Sequence, residues 1–330
     1  MRGGQDVVEA GGTAIGTTLS SGLQLVFGSA SGTTLLSGGI DIVFSGGVAS
    51  NTNISSGGIE VVSSGGVANG ATVNSGAQVT YASASGTVVS NGGIEVVESG
   101  GVASATTVNS GGFDVVMAGG TASGTTVNSG GVEVLFGLGQ GTILNSGGAE
   151  YVEPGSVESG TIVKSGGLDY VFGTASGTTI QGGYEYVGSG GTATDTVIGS
   201  GSMQVASGGL TGGAVTFSGG GLLRLDDSVH FGGLVAGFGV PDFIDLADIA
   251  FISGTTSVSW QQLTNGANAF GTLTVTDGTP ATTARITLLG QYVAGNFHIQ
   301  NDGAGGTLVT DPPVSATTDA NPIALLNTQH

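Results

Sequence analysis

Short apolar runs recur along the chain, and each run is flanked by pairs of glycines. The clearest copies are NGGIEVVESGGVASATTVN, from Asn91, and SGGFDVVMAGGTASGTTVN, from Ser110, which start 19 residues apart. A fixed period near 20 residues is typical of repeat proteins, in which each unit buries its apolar side only against its neighbours. Similar units follow one another from Gly3 to Gly221, with gaps of 16 to 19 residues in most of this range.

Each unit carries two short runs of β-forming residues, such as IEVV and TTVN, separated by Gly-Gly or Ser-Gly. Runs of four or five residues are too short for helices, and glycine supplies the positive φ that a tight corner requires. The pattern therefore predicts an all-β solenoid with about one coil per repeat, stacked in register at ~4.8 Å. A β-propeller is excluded because each blade needs about 40 residues.

In-register stacking makes each alignment column a ladder of equivalent side chains. The column after Gly-Gly and one further residue is acidic or amide in all twelve units, and its carboxylates are Asp6, Asp41, Glu60, Glu95, Asp114, Glu133, Glu150, Asp169 and Glu185. Like charges directly opposed in a sheet are destabilising. We therefore expect this column to face solvent or a counter-ion. It is a candidate for solubility, for self-association or for binding divalent cations.

The next column is apolar throughout and is the predicted core: Val7, Leu25, Ile42, Val61, Val79, Val96, Val115, Val134, Tyr151, Tyr170, Tyr186 and Val205. The column after it is also largely apolar, and strict alternation cannot bury both. Either a corner intervenes, or one valine stripe is exposed as an association surface. A further column of Asn74, Asn109, Asn128 and Asn145 is interpreted as turn residues rather than as an amide ladder.

The repeat fades near Ser218, and the composition then changes. We predict repeats over 1–221, a β-rich cap or irregular coils over 222–312, and a tail, linker or export signal over 313–330.

Composition narrows the function. Lys and Arg total only 4 against 23 acidic residues, a net charge of −19, so nucleic-acid binding is not expected. No apolar run is long enough to span a bilayer, and the chain has no cysteine for disulfides or thiolate metal sites.

Enzymatic chemistry finds few candidate groups. The repeats contain one Lys, no His and no Arg besides Arg2, whereas polysaccharide-active sites pair carboxylates with such proton-sharing groups. We expect no enzymatic activity and no resident cofactor. Calcium is a candidate ligand of the cap carboxylates Asp226, Asp227, Asp242, Asp245 and Asp248.

The pattern SGGxxxVxxGGxAxxTxVxxGG resembles the AIDA-type repeat of autotransporter adhesins from Gram-negative bacteria, over about two-thirds of the chain. This resemblance implies a right-handed parallel β-helix outside the cell that acts in adhesion, autoaggregation and biofilm, with glycosylated serines in some relatives. Residues 242–252 and 301–310 resemble instead the C-terminal regions of repeat proteins exported by type I secretion, so the export route stays open.

We therefore expect a secreted, self-associating β-solenoid on the bacterial surface, built as a filament or biofilm-matrix subunit. Its main partner is a second copy, with host or neighbouring-cell surfaces or glycans as further candidates. The alternatives are a monomeric adhesin passenger that aggregates laterally and, third, a polysaccharide lyase or glycosidase.

Overall fold

The computed structural model describes residues 3–311. It is an all-β parallel β-solenoid of about 13 turns, with roughly 19 residues per turn and almost no helix. The predicted fold class is thus confirmed, while its right-handed sense stays a prediction. The chain divides into two compact units, 1–169 and 170–330, which are described in turn.

The first unit contains nine coils of three short strands, one more strand per coil than predicted. The first strands of the coils are Gln5–Val8, Leu23–Val26, Ile40–Val43, Ile59–Val62, Ala77–Thr80, Ile94–Val97, Phe113–Val116, Val132–Leu135 and Ala149–Val152. The second strands are Thr13–Ile15, Ser29–Ser31, Val48–Ser50, Val67–Asn69, Ser83–Ser85, Val102–Ser104, Thr121–Ser123, Leu138–Gln140 and Val157–Ser159. The third strands are Thr18–Leu19, Thr34–Leu35, Asn53–Ile54, Thr72–Asn74, Val88–Ser90, Thr107–Val108, Thr126–Val127, Ile143–Leu144 and Ile162–Lys164. The strand Leu168–Val171 spans the division between the units.

Equivalent strands of successive coils pair in parallel and in register. Ile94–Val97, for example, pairs residue by residue with Ala77–Thr80 on one side and with Phe113–Val116 on the other. Because neighbouring side chains of a strand point to opposite faces, the second and fourth residues of each first strand point into the coil. The fourth residue is the core ladder, with Val43, Val62, Val97 and Val116 fully buried.

In the first unit the predicted core column was therefore wrong by one position, whereas Val205 of the second unit is buried as predicted. Val61 and its equivalents point outward, and the column that follows them fills the interior together with alanines of the second strand, such as Ala68 and Ala84. The second strands were missed because runs such as VAS and TAS contain small residues and little apolar surface.

The second unit begins with further coils and ends in antiparallel strands. Its strands are Thr174–Ser176, Thr179–Val187, Thr192–Thr194, Val197–Val205, Leu210–Gly212, Ala214–Phe217, Gly221–Leu225, Leu234–Ala236, Phe243–Leu246, Ser257–Thr264, Phe270–Thr276, Thr283–Leu289, His298–Asn301 and Thr307–Thr310. Its two 3₁₀ turns are Ser228–His230 and Ala294–Asn296.

Coil-like stacking continues beyond residue 222, where we expected the cap to begin. Gly221–Leu225 pairs in parallel with Val197–Val205 on one side and with Phe243–Leu246 on the other. The strands from Ser257 to Leu289 are antiparallel neighbours, as are the two strands from His298 to Thr310. The predicted tail, 313–330, lies outside the described residues.

Two kinds of glycine shape the corners. The second glycine of each Gly-Gly pair approaches the coil before it so closely that no side chain fits: a Cβ on Gly112 would lie 2.5 Å from the Val89 carbonyl oxygen. At the corner between the second and third strands the backbone has positive φ instead. A Cβ on Gly124 (φ +67°) would have no atom within 4 Å. Asn51 (φ 54°) occupies the equivalent corner of an earlier coil.

This difference predicts that two substitutions lower the free energy of unfolding by different amounts. Gly112→Ala forces backbone against backbone and is expected to lower the free energy of unfolding by about 1–3 kcal/mol. Gly124→Asn, the matched control, is expected to cost less than about 1 kcal/mol, because Asn tolerates the left-handed region. Urea unfolding followed by circular dichroism measures both, and equal stabilities would contradict the close approach of the coils.

Candidate functional site

The acidic column lies inside the solenoid. Of its members in the first unit, Asp41, Glu60, Glu95, Asp114, Glu133, Glu150 and Asp169 are 0% exposed, and only Asp6 in the first coil is half-buried. Together with Gln24 and Gln78 they form what we call the carboxylate ladder. The expectation that this column faces solvent was wrong, so the ladder is not a self-association surface.

A column of buried threonines accompanies the carboxylate ladder. It comes 9 or 11 residues after each ladder residue except Glu60, where Ala71 takes its place, and immediately before each third strand. Several of its side chains donate hydrogen bonds to the ladder. The measured pairs are Thr33 Oγ1 to Gln24 Oε1 (3.0 Å), Thr87 to Gln78 Oε1 (2.9 Å), Thr106 to Glu95 Oε2 (2.9 Å), Thr142 to Glu133 Oε2 (3.1 Å) and Thr161 to Glu150 Oε2 (3.5 Å). The threonine column thus stabilises the buried acids.

The two glutamines connect successive carboxylates. Gln78 donates from Nε2 to Glu60 Oε2 at 2.6 Å while its Oε1 accepts from Thr87. Gln24 likewise donates to Asp6 Oδ2 at 2.9 Å. An amide has both donors and acceptors, so it separates two acids that would otherwise oppose each other.

Burial makes the ladder resist ionisation. Desolvation and, to a smaller extent, the charge of Glu60 raise the pKa of Asp41 to about 8. Desolvation also raises the pKa of Glu95 to about 7, although hydrogen bonds from Thr106 and Thr87 lower it. For Asp114, desolvation and then the charges of Glu95 and Glu133 raise the pKa well above its ordinary value. Near neutral pH, protons are therefore retained along the ladder.

One coil carries an additional carboxylate. Glu158 occupies the inward position of the second strand, where the other coils place alanine or glycine, and it is 0% exposed. It pairs with Gly139 of the preceding coil. One carboxylate oxygen from each of Glu150, Glu158 and Asp169 lies within 4.8 Å of the other two. Sequence reasoning missed Glu158, although the change from Ala-Ser to Glu-Ser within the repeat was its signal.

In the second unit the ladder position shifts. Glu185 is buried like its equivalents, but it pairs with Met203, and Tyr186 pairs with Gln204. From the sequence, Gln204 is the last amide of the acidic column, and this assignment was therefore wrong. Gln204 points outward, where it accepts from the Tyr184 hydroxyl at 2.6 Å and donates to Asp226 at 2.6 Å.

The cap carboxylates are bound by protein donors. Arg224 donates to Asp226 at 2.9 Å and to Asp245 at 2.7 Å. Asp242 accepts from the backbone N–H of Gly221 and Gly239, Asp248 accepts from Ser228 Oγ at 2.6 Å, and Asp227 lies 2.7 Å from His230 Nδ1. Within residues 3–311 these five do not form a metal-type cluster of the kind found at Glu150. Calcium binding in the cap stays a prediction.

The outside of the first strands is apolar. The first and third residues of each first strand point outward. We define the outer apolar face as these residues of the nine first strands, beginning at Val7 and ending at Tyr151. Val7, Ile59, Ile94 and Phe113 are 37–43% exposed. A flanking column just after each first strand is mixed. It includes Phe27, stacked on Phe44 with centroids 4.6 Å apart, and the exposed Tyr81, Met117 and Phe136, but also Ser63 and the acids Glu9, Glu98 and Glu153.

Asn109, Asn128 and Asn145 are turn residues, as interpreted from the sequence, because each backbone carbonyl accepts from the N–H of the glycine three residues later. Their side chains also form an amide ladder. Asn128 Nδ2 donates to Asn109 Oδ1 at 2.9 Å, and Asn145 Nδ2 donates to Asn128 Oδ1 at 2.7 Å. In residues 3–311 no helix has the length and apolar character of a membrane span.

The chain is similar to a known protein family and to proteins of known structure. Residues 78–131 match the family model described as "Adhesin of bacterial autotransporter system, probable stalk" (AIDA). A crystal structure of a TibA fragment, hyper-glycosylated by the catalysis of TibC, is 38% identical with a TM-score of 0.59, over 70% of this chain and 90% of that one. The ORF18 protein of Geobacillus virus E2 is 11% identical over 96% of this chain and 74% of its own, with a TM-score of only 0.20. No curated protein matches the chain.

The raised pKa values predict that the protein is more stable in acid than at neutral pH. Between about pH 4 and about pH 8 the folded chain retains the proton on Asp41 that the unfolded chain releases, so stability falls as the pH rises. Asp41→Asn should reduce this slope by about 1.4 kcal/mol per pH unit. Urea midpoints measured across this range provide the test.

The control is Glu98→Gln, which removes a carboxylate from the outer surface and not from the ladder. Stability that rises between pH 4 and 8, or equal slopes for wild type and Asp41→Asn, would contradict the buried, proton-bearing ladder.

Proposed function

Because the chain belongs to the family of AIDA-type adhesin stalks of bacterial autotransporters, we propose that it is an adhesive stalk outside the bacterial cell, which associates with copies of itself through the outer apolar face. The family supports a surface location and a structural rather than an enzymatic role. The observation that carries self-association is the apolar character of this face, given that the acidic column lies inside.

The burial of the acids leaves the coil surface nearly uncharged. In residues 3–169 the ionisable carboxylates outside the coils are Glu9, Glu98 and Glu153, with Asp6 half-buried, and the one cationic side chain is Lys164. The net charge of −19 therefore overstates the repulsion between two copies. A surface with few charges and a continuous apolar stripe favours contact with another such surface.

The face has the size of an interface. Nine first strands, ~4.8 Å apart and each four residues of ~3.3 Å long, present roughly 600 Å² of projected area. This is the upper end of apolar patches on monomeric proteins. It is also comparable with one side of a standard protein–protein interface, about 800 Å² per partner, and this area does not include the aromatic side chains of the flanking column.

Lateral contact through this face is therefore favoured over contact between the ends of two chains, which would build a single thin filament. Both kinds of contact lead to a matrix of associated chains. Negative-stain images distinguish them, because lateral contact gives side-by-side bundles and end-to-end contact gives single thin filaments. The enzymatic alternative receives no such support, since the ladder carboxylates are enclosed in the coils, where a polysaccharide has no access.

Two lysines on the outer apolar face should abolish association. Val61 and Val96 are half-buried outward residues of the first strands, and Val61→Lys with Val96→Lys is expected to leave the protein monomeric where wild type associates. The matched control is Asn53→Lys with Thr72→Lys, which adds the same charge to exposed positions of the third strands. Sedimentation velocity and thermal unfolding are measured for both double variants.

We expect the control to associate like wild type, and both variants to unfold within about 1 kcal/mol of it. Association that survives the valine replacements, or is lost equally in the control, would exclude this face as the contact.

The TibA fragment is glycosylated, and we propose the same modification here on exposed serines. Equivalent corner serines before Gly-Gly are all exposed: Ser37, Ser56, Ser110, Ser129, Ser146 and Ser165. Intact mass after co-expression with TibC should show sugar-sized increments that decrease when these serines are replaced by alanine. An unchanged mass would refute the proposal.

A further inference from the structure

The most unusual group in the interior is the cluster of Glu150, Glu158 and Asp169. Each side chain is 0% exposed. Elsewhere in the ladder a coil contributes one acid, whereas this coil contributes Glu150 and Glu158 together. Burying a third carboxylate next to two others is costly unless a positive charge or protons compensate it.

Positively charged side chains are scarce in the described part of this unit. Lys164 is the one cationic residue in 3–169, and it is exposed. Glu150 Oε1 is completely buried and has no hydrogen-bond donor. Its other oxygen accepts from Thr161 Oγ1 at 3.5 Å, and the Glu150 carboxyl also shares a hydrogen bond with the Glu158 carboxyl. The Glu150 side chain therefore carries one buried acceptor without a donor and lies among further carboxylates.

The spacing of these oxygens fits a cation. One oxygen from each of the three side chains lies within 4.8 Å of the others. Oxygens on opposite sides of a Ca²⁺ ion lie about 4.6–5.2 Å apart, twice the usual Ca–O distance, whereas those around Mg²⁺ lie about 4.0–4.2 Å apart. Ligands that are not opposite each other lie closer, so the whole cluster can surround one calcium ion.

The donor set also selects a hard cation. The three carboxylates provide up to six oxygens, Thr161 provides a hydroxyl nearby, and residues 3–169 contain neither His nor Cys. An all-oxygen set suits Ca²⁺ and Mg²⁺ rather than Zn²⁺. Mg²⁺ usually keeps several water ligands, which a fully buried cluster disfavours, and Ca²⁺ accepts six to eight protein oxygens.

We propose that Glu150, Glu158 and Asp169 bind one Ca²⁺ ion inside the solenoid, where it joins the coil of Glu150 to the strand that begins at Leu168. Since the cluster is enclosed, the ion enters while these coils fold. Calcium thereby promotes completion of the stalk in a medium that contains it, such as the exterior of the cell. This site is independent of the outer apolar face and of self-association.

The test uses the full chain. The protein is unfolded in urea with a chelator, refolded at pH 7.5 with or without CaCl2, desalted, and analysed for metal by mass spectrometry. Wild type refolded with CaCl2 is expected to retain one Ca²⁺ per chain and to unfold at a higher temperature than the calcium-free sample.

Glu158→Gln should retain at least about tenfold less calcium, since loss of even an outer-shell partner can cost a metal site that much. The matched control is Glu95→Gln, which removes a ladder carboxylate from a coil without a second acid and should bind calcium like wild type. Glu158→Ala provides a second variant that restores the residue found in other coils, with folding verified by circular dichroism.

Wild type that is free of calcium after refolding in CaCl2 would overturn the proposal. So would Glu158→Gln retaining as much calcium as Glu95→Gln. A third contrary result is Glu158→Ala unfolding at a higher temperature than wild type while calcium has no effect on either, since the three acids would then be sharing protons instead of a metal ion.

Discussion

In-register parallel stacking is the constraint on which the rest of the structure depends. The backbone N–H groups of a strand bond to the equivalent strands in the neighbouring coils, so every side chain has its own counterparts as neighbours ~4.8 Å away. A favourable residue is thereby repeated favourably, as in the valine core ladder and the amide ladder of Asn109, Asn128 and Asn145. An acid in such a column meets other acids, and its charge has to be removed or neutralised.

The protein neutralises its acids in several ways along one ladder. Threonine hydroxyls donate to several of the glutamates, glutamines separate two pairs, and protons retained by burial remove charge where acids face acids directly, as at Asp114. A polar stripe inside a solenoid is also demanding in geometry, because a half-satisfied network is worse than an apolar core. It therefore favours one register of the coils over a shifted one, which would place valine opposite glutamate.

Much of the fold could be predicted from the sequence, because the signals were local and repeated. The 19-residue spacing, the glycine corners and the short β-branched runs required a solenoid, and the family likeness agreed with it. The face of the first strand could not be chosen as safely. A period of two leaves two options, and the general rule that carboxylates face solvent selected the wrong one.

Residues within the sequence favoured the correct option. Tyr151, Tyr170 and Tyr186 belong to the column of Val61, and side chains of that size do not fit a narrow coil packed with alanine and valine. The Thr that follows every ladder acid except Glu60 by 9 or 11 residues was a further sign, since a hydroxyl column is useful only beside the acids it binds. The cluster at Glu158 depends on the packing of three strands, so spacing alone did not reveal it.

The orientation of the first strand can be measured directly, because the chain has no cysteine of its own. Single replacements Val61→Cys and Val62→Cys, tested with a maleimide in the native state, compare the two faces of one strand. The structure predicts rapid labelling at position 61 and protection at position 62 until the protein unfolds. Protection at 61 with labelling at 62 would place the valine of the outer apolar face in the core and the carboxylate ladder in solvent, and would contradict the account.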